Sequence, residues 1–220
     1  MGGWVDRASE NLNLAIVRLN SNGSVDTTFG TGGLVETQIT EDASEVVRDL
    51  LIDGSDILVA AFAQQSGDFT VLRFDVDGTP VTTFGSSGLA QIDFNGLSDQ
   101  ARVLAMHQGA ILVGGSASAA LRSEFTNIGL VRLQSNGALD PMFADNGVLE
   151  LGLSGPARTI VQDAAARAGG GMVAAFFSGS SATDFALLGI RADGEPDPDF
   201  GNDGVARFDF ANDEDTVEAV

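Results

Sequence analysis

The residues of this chain best suited to chemistry are its carboxylates, and they crowd into turns. Asp197, Asp199, Asn202 and Asp203 share one short segment, Asp75-Val76-Asp77-Gly78 is a fragment of a cation-binding loop pattern, and Asp213-Glu214-Asp215 forms a third group. Hard oxygen donors suit Ca²⁺, which takes about six to eight of them, so Asp197, Asp199 and Asp203 are the calcium candidates. A carboxylate pair would also suffice for glycoside hydrolysis. The plainer reading is turn chemistry. Asp outnumbers Glu, and Asp bonds its own backbone two residues on. Asp75 is replaced by Asn20, Gln134 and Arg191 at the matching positions, so a cation site repeated copy by copy is not expected.

Other chemistries are poorly served. There is no Cys, no Tyr and no Lys, and His107 is the one histidine. Most nucleophile and acid–base constellations cannot be assembled from that set. His107 adjoins a turn glycine and reads as an exposed turn residue rather than a base or metal ligand. Gly30-Thr31-Gly32-Gly33 and Gly169-Gly170-Gly171 resemble phosphate loops only superficially, because no helix follows to aim its amides at an anion.

The 220 residues carry 31 acidic and 11 basic side chains, a formal net charge of −20, and every basic residue is Arg. Such a surface repels nucleic acid and anionic lipid. No run reaches the ~18 apolar residues of a membrane helix. The opening MGGWVDRASE lacks the basic and apolar regions of a signal peptide, so the chain is expected to be either cytoplasmic or a mature or excised piece of a larger protein.

What must position these residues is a repeat. Four segments align without a gap: NLAIVRLNSNGSVDTTFGTGG from Asn13, DFTVLRFDVDGTPVTTFGSSG from Asp68, NIGLVRLQSNGALDPMFADNG from Asn127 and DFALLGIRADGEPDPDFGNDG from Asp184. Their anchor residues Phe29, Phe84, Phe143 and Phe200 are spaced 55, 59 and 57 apart. Gly23, Gly78, Gly137 and Gly194 each stand six residues before the anchor. Asn-Gly and Asp-Gly turns of this kind supply positive φ at little cost. The anchor Phe reads as a plug from a compact turn into the core. Arg18, Arg73 and Arg132 read as strand-end residues pairing with a turn carboxylate or capping carbonyls.

Apolar runs bounded by turns predict four strands per copy. They cover residues 14–19, then 34–39, 89–94, 148–153 and 205–210, then 45–52, 101–106 and 157–162, then 57–61, 111–115 and 172–176. The small pairs Ala60-Ala61, Gly114-Gly115 and Ala174-Ala175 suggest a crowded inner edge. Four short antiparallel strands per copy match a propeller blade. The expected fold is all-β: a β-propeller-like array of four four-stranded blades, with copies at about 13–67, 68–126, 127–183 and 184–220. Trp4-Val5 would take the place of Val59-Ala60, so that one blade is split between the termini. Its last copy is then either completed by residues 1–12 in a closed ring or truncated.

The pattern of apolar strand, Arg-Leu, Asn/Asp-Gly, Phe-Gly and Gly-Gly, followed by a second strand, resembles the delta-60 repeat family of bacterial proteins. That resemblance implies a propeller-like module within a large exported or surface chain, with no catalytic residues or cofactor to carry over. Two departures stand out. Gly189 replaces the repeat Arg in the last copy, and Val81 replaces the Asp of Asp26, Asp140 and Asp197 in the second. The expected role is a non-enzymatic scaffold or binding platform for other domains, proteins or carbohydrate. The alternatives are a carbohydrate-active enzyme with a carboxylate pair and a calcium-dependent adhesive module.

Overall fold

A computed structural model of the chain describes residues 1–6, 12–40, 44–63, 67–118, 126–152, 158–179, 184–209, 217 and 219–220. Every regular element among them is a β-strand. Three complete blades are formed, each a consecutive antiparallel meander. One contains β4 (Glu45–Asp53), β5 (Asp56–Ala63), β6 (Phe69–Phe74) and β7 (Leu89–Ile92). The next contains β8 (Gln100–His107), β9 (Ala110–Ser118), β10 (Thr126–Leu133) and β11 (Val148–Leu151). The last contains β12 (Arg158–Ala166), β13 (Met172–Gly179), β14 (Asp184–Ile190) and β15 (Val205–Phe208). Ahead of them β1 (Gly2–Asp6), β2 (Leu12–Val17) and β3 (Leu34–Thr37) make a three-stranded sheet in the same order. A single parallel bridge, Thr126 to Arg158, joins the third and fourth sheets.

The core lies between blades, because a four-stranded sheet alone cannot bury both faces. Each of three apolar clusters takes residues from two consecutive blades. Leu14, Ile16 and Phe29 of the first blade pack with Val59, Leu72 and Phe74 of the second. Leu130 and Phe143 of the third pack with Met172, Phe176 and Leu188 of the fourth. Consecutive blades touch along β4, β8 and β12. Each of those strands skips one residue of its register, at Arg48, Arg102 and Gln162. Such bulges bend the strand and increase its twist.

Several expectations need correction. The small pairs lie on β5, β9 and β13, the second strand of each blade and not an inner edge. Their crowding comes from both the neighbouring strand and the neighbouring blade: a Cβ on Gly115 would collide with the Gln100 carbonyl oxygen of its own blade and sit 2.6 Å from the Phe69 ring of the preceding one. Gly2 pairs with Ile16 and Ala60 with Val71, so Gly2-Gly3 occupy the places of Ala60-Ala61. The register is thus shifted by three residues from the one that set Trp4-Val5 against Val59-Ala60. A Cβ on Gly2 would meet Val47 and Leu50 at 2.8 Å, so the N-terminal glycines fit the strand.

Strand lengths also differ. β2 stops at Val17, leaving Leu19 in an isolated bridge to Val25. The strands beginning at Leu34 and Leu89 stop at Thr37 and Ile92, because the following backbone is capped by a carboxylate at the start of the next strand. Ile39 and Thr40 donate to Glu45 Oε1 at 2.6 and 2.9 Å, and Phe94 donates to Asp99 Oδ2 at 3.0 Å. The strands beginning at Val148 and Val205 also end short of the expected 153 and 210, at Leu151 and Phe208, while the expected strand start at Ala157 and the Asp213-Glu214-Asp215 group lie outside the described residues.

Candidate functional site

The repeat signature assembles at the joint between blades. In the first copy the turn after β2 ends in Phe29-Gly30, and the Gly30 amide donates to the Asp77 carbonyl in the second blade at 2.8 Å. Gly85 does the same to Asn136, and Ala144 to Asp193, both at 2.7 Å. The acceptor is always the residue before the turn glycine. That glycine needs its φ of +84°, +82° or +88° (Gly78, Gly137, Gly194), and it also faces the preceding blade. A Cβ on Gly78 would lie 2.9 Å from the Phe29 ring, and one on Gly137 would lie 2.7 Å from the Gly85 nitrogen. The expected Phe plug is therefore a seat for the next blade's turn. Phe29, Phe84 and Phe143 are at most 1% exposed, whereas Phe200 is half-buried.

Arg18, Arg73 and Arg132 clamp the same joint. Arg18 Nε and Arg132 Nε each bond the carboxylate of their own turn, Asp26 and Asp140, at 2.8 Å. Their Nη1 groups reach into the next blade, to the carbonyls of Val76 and Ala192. Each guanidinium lies over its anchor ring, at 4.8 Å from Phe29 and 4.9 Å from Phe143, where the ring quadrupole attracts it. The Thr28 hydroxyl and amide hold the Asp26 carboxyl below its ordinary value, with Arg18 adding to the effect.

The two departures are compensated from another turn. Where Val81 replaces the carboxylate, Arg73 turns to Asp53 and Asp56, both at 2.8 Å, on the hairpin joining β4 to β5. Its Nη1 still reaches the next blade, at the Ser135 carbonyl. Where Gly189 replaces the arginine, Arg167 on the β12–β13 hairpin supplies one. It bonds Asp197 at 2.6 Å and lies 5.6 Å from the Phe200 centroid. Gly189 is obligatory there, since a Cβ would stand 2.5 Å from that ring. His107 occupies the matching hairpin position in the third blade. It is half-buried rather than exposed, and its Nε2 is buried without a hydrogen-bond partner among the described residues. It lines a shallow recess with Arg132, Met142, Ala192 and Asp193.

Three further carboxylates, the half-buried Asp49 and Asp163 and the fully buried Asp99, are likewise engaged. Asp49 Oδ1 accepts from the Leu50 amide and Oδ2 from the Leu104 amide of the next blade, both at 2.7 Å. Asp163 repeats this with Ala164 and Val220, at 2.8 Å each. Burial pushes the Asp49 carboxyl up, and the negative charge of Asp163 adds to it. Asp99 caps Phe94 and Ser118 through its two oxygens, at 3.0 Å each.

The calcium candidates are not brought together as a site. Asp197 is bound to Arg167, which pulls its carboxyl below the ordinary value. Its Oδ1 accepts from the Asp199 amide at 3.2 Å, while Asp203 stands in the following turn at φ +50°. Asp75 Oδ1 accepts from the Asp77 and Thr79 amides at 2.9 Å. No group of three or more His, Asp or Glu among the described residues is arranged to hold an ion.

A family model described as "Domain of unknown function (DUF5122) beta-propeller" matches residues 2–29 and 109–143. Both segments end on an anchor, Phe29 and Phe143, and the second spans β9 and β10. The likeness is thus to a β-propeller repeat, in agreement with the blades. A comparison with curated proteins finds no match.

Proposed function

We propose that the chain is a non-enzymatic scaffold or binding platform of delta-60 type, working as part of a larger bacterial surface or secreted protein. The observation that carries this reading is the use made of the recurring polar residues. Arg18, Arg73 and Arg132 each tie a carboxylate to the backbone of the next blade. Asp49 and Asp163 each spend both oxygens on backbone amides. Residues so committed hold blades in register and are not poised for turnover. The partners that suit the outer surface are proteins or carbohydrate, since a net charge of −20 disfavours polyanions. The exported setting follows from the family resemblance.

A carbohydrate-active reading has one observation in its favour: Asp49 and Asp163, on non-adjacent blades, feel each other's charge. Two measurements separate the readings. Incubated with a panel of polysaccharides and chromogenic glycosides, wild-type protein should release no more product than Asp49→Asn/Asp163→Asn. Hydrolysis abolished in that variant would replace the scaffold with an enzyme. Melting with about 1 mM Ca²⁺, the range of extracellular calcium modules, should coincide with melting in chelator. A calcium-dependent rise would favour the adhesive module.

A further inference from the structure

The three clamp arginines differ at one nitrogen. In each, Nε bonds a carboxylate and Nη1 a carbonyl of the next blade. In two of them Nη2 also finds an oxygen within the chain. Arg18 Nη2 bonds the Thr28 hydroxyl at 3.2 Å, and Arg73 Nη2 bonds Asp53 Oδ2 at 2.8 Å. The joint between the third and fourth blades holds neither acceptor. Met142 stands where Thr28 stands, its amide bonding Asp140 Oδ1 as the Thr28 amide bonds Asp26 Oδ1. His107 stands where Asp53 stands, in the last residue pair before the hairpin turn. Arg132 is only 9% exposed, yet its Nη2 has no acceptor among the described residues. The recess that Arg132 lines with His107, Met142, Ala192 and Asp193 measures about 450 Å³.

We infer that this recess binds a small monocarboxylate, the size of a sugar acid, whose oxygen takes at Arg132 Nη2 the place of Thr28 Oγ1 and Asp53 Oδ2. The chain defines the acceptor twice, once as a hydroxyl and once as a carboxylate. The carboxylate makes the shorter bond, as a charged acceptor does. The guanidinium is largely buried, so a hydrogen bond to it is stronger than one in water. Charge allows one negative group there. Arg73 already sits between two carboxylates, Asp53 and Asp56, and a bound carboxylate gives Arg132 the same arrangement with Asp140. Asp193 at the recess and the net charge of −20 disfavour a dianion such as phosphate. The volume falls in the range of small-molecule sites, and Ala110, Met142 and Ala192 offer an apolar flank to ring carbons. The site names a ligand class for the binding platform proposed above and rests on that reading.

The test is an NMR titration of the whole chain with glucuronate, and with glucose as its neutral counterpart. Glucuronate should shift the Gly169, Gly170 and Ala192 amides and saturate. Glucose should bind about tenfold more weakly or not at all, the ratio for one lost charge-assisted hydrogen bond. Two variants supply the acceptor from within the chain. Met142→Thr restores the hydroxyl of the first joint, and His107→Asp restores the carboxylate of the second. Both should lose the glucuronate response and melt no earlier than wild type. Met142 is 77% exposed, and Met142→Val, which has the shape of threonine without its hydroxyl, should keep the response. Four results would overturn the site and leave the platform reading standing. They are a silent wild type, glucose matching glucuronate, either acceptor variant binding as wild type does, and Met142→Val losing the response along with Met142→Thr. Conversion of glucuronate into new signals would be turnover, which removes the platform reading and this inference with it.

Discussion

Alanine at the turn glycines separates the cost of a backbone conformation from the cost of breaking a joint. Gly23 and Gly137 have nearly the same φ, +84° and +82°. An alanine at either must adopt the left-handed region, at about 1–2 kcal/mol, partly offset by about 0.4–1 kcal/mol from a stiffer unfolded chain. At Gly23 nothing else changes, because the new methyl meets open space. At Gly137 it would lie 2.7 Å from the Gly85 nitrogen and 3.1 Å from the Phe84 ring. The contact with Gly85 is with backbone, so relief requires the two blades to part. Overpacking of this kind adds about 1–3 kcal/mol. Gly23→Ala should thus cost about 1 kcal/mol and Gly137→Ala about 2–4 kcal/mol. For a chain of this size that converts to about 2–4 °C per kcal/mol. Thermal and urea melts followed by circular dichroism measure both. Equal losses in the two variants would mean that Gly137 serves only its own turn and that the joint is misassigned.

Phe84→Ala should cost about 3–5 kcal/mol, as for a buried core aromatic, while the half-buried Phe200→Ala should cost clearly less. Matched urea melts check this. Arg73→Ala and Asp53→Ala should be strongly non-additive, with a coupling of about 0.5–3 kcal/mol for residues in one network. A double-mutant cycle in which the losses simply add would remove the compensation assigned to the β4–β5 hairpin. Acidity should act in two directions. Asp49, Asp68 and Asp99 have carboxyls raised above 3.8 by burial. They contribute stability in the protonated form that is fully present below that value and is lost as pH rises through the raised one. Asp26 and Asp197 are lowered below 3.8, and their contribution is lost as pH falls through the folded value. Melting temperature should therefore rise on mild acidification from neutral pH and fall again below about pH 4. A melt series that declines steadily from neutral pH would contradict these assignments.

The blades were legible because their signals are local. Alternating apolar runs, Asn/Asp-Gly turns and a recurring Phe can be read within twenty or so residues. The joint was not legible, because its partners are far apart: Arg18 with Val76, Arg73 with Ser135, Arg132 with Ala192. Val81 and Gly189 therefore read as losses of a carboxylate and an arginine. Their replacements, Asp53, Asp56 and Arg167, sit in a different turn that only the folded blade brings near. The bulges at Arg48, Arg102 and Gln162 leave no compositional trace, yet they set which residues of β4, β8 and β12 meet the next blade. His107 looked exposed because its turn is polar in sequence. The face of the following blade, at Gly170 and Ala192, is what half-buries it.

The claim that the repeat signature is a joint between blades rests most directly on three amides. Gly30, Gly85 and Ala144 donate to carbonyls of the following blade, and Gly201, at the matching place in the last blade, has no such acceptor among the described residues. Residue-resolved amide hydrogen exchange by NMR, at a concentration where the chain is monomeric, reports each one separately. Strong protection at Gly30, Gly85 and Ala144 with fast exchange at Gly201 is the expected result. Equal exchange at all four would contradict the joint.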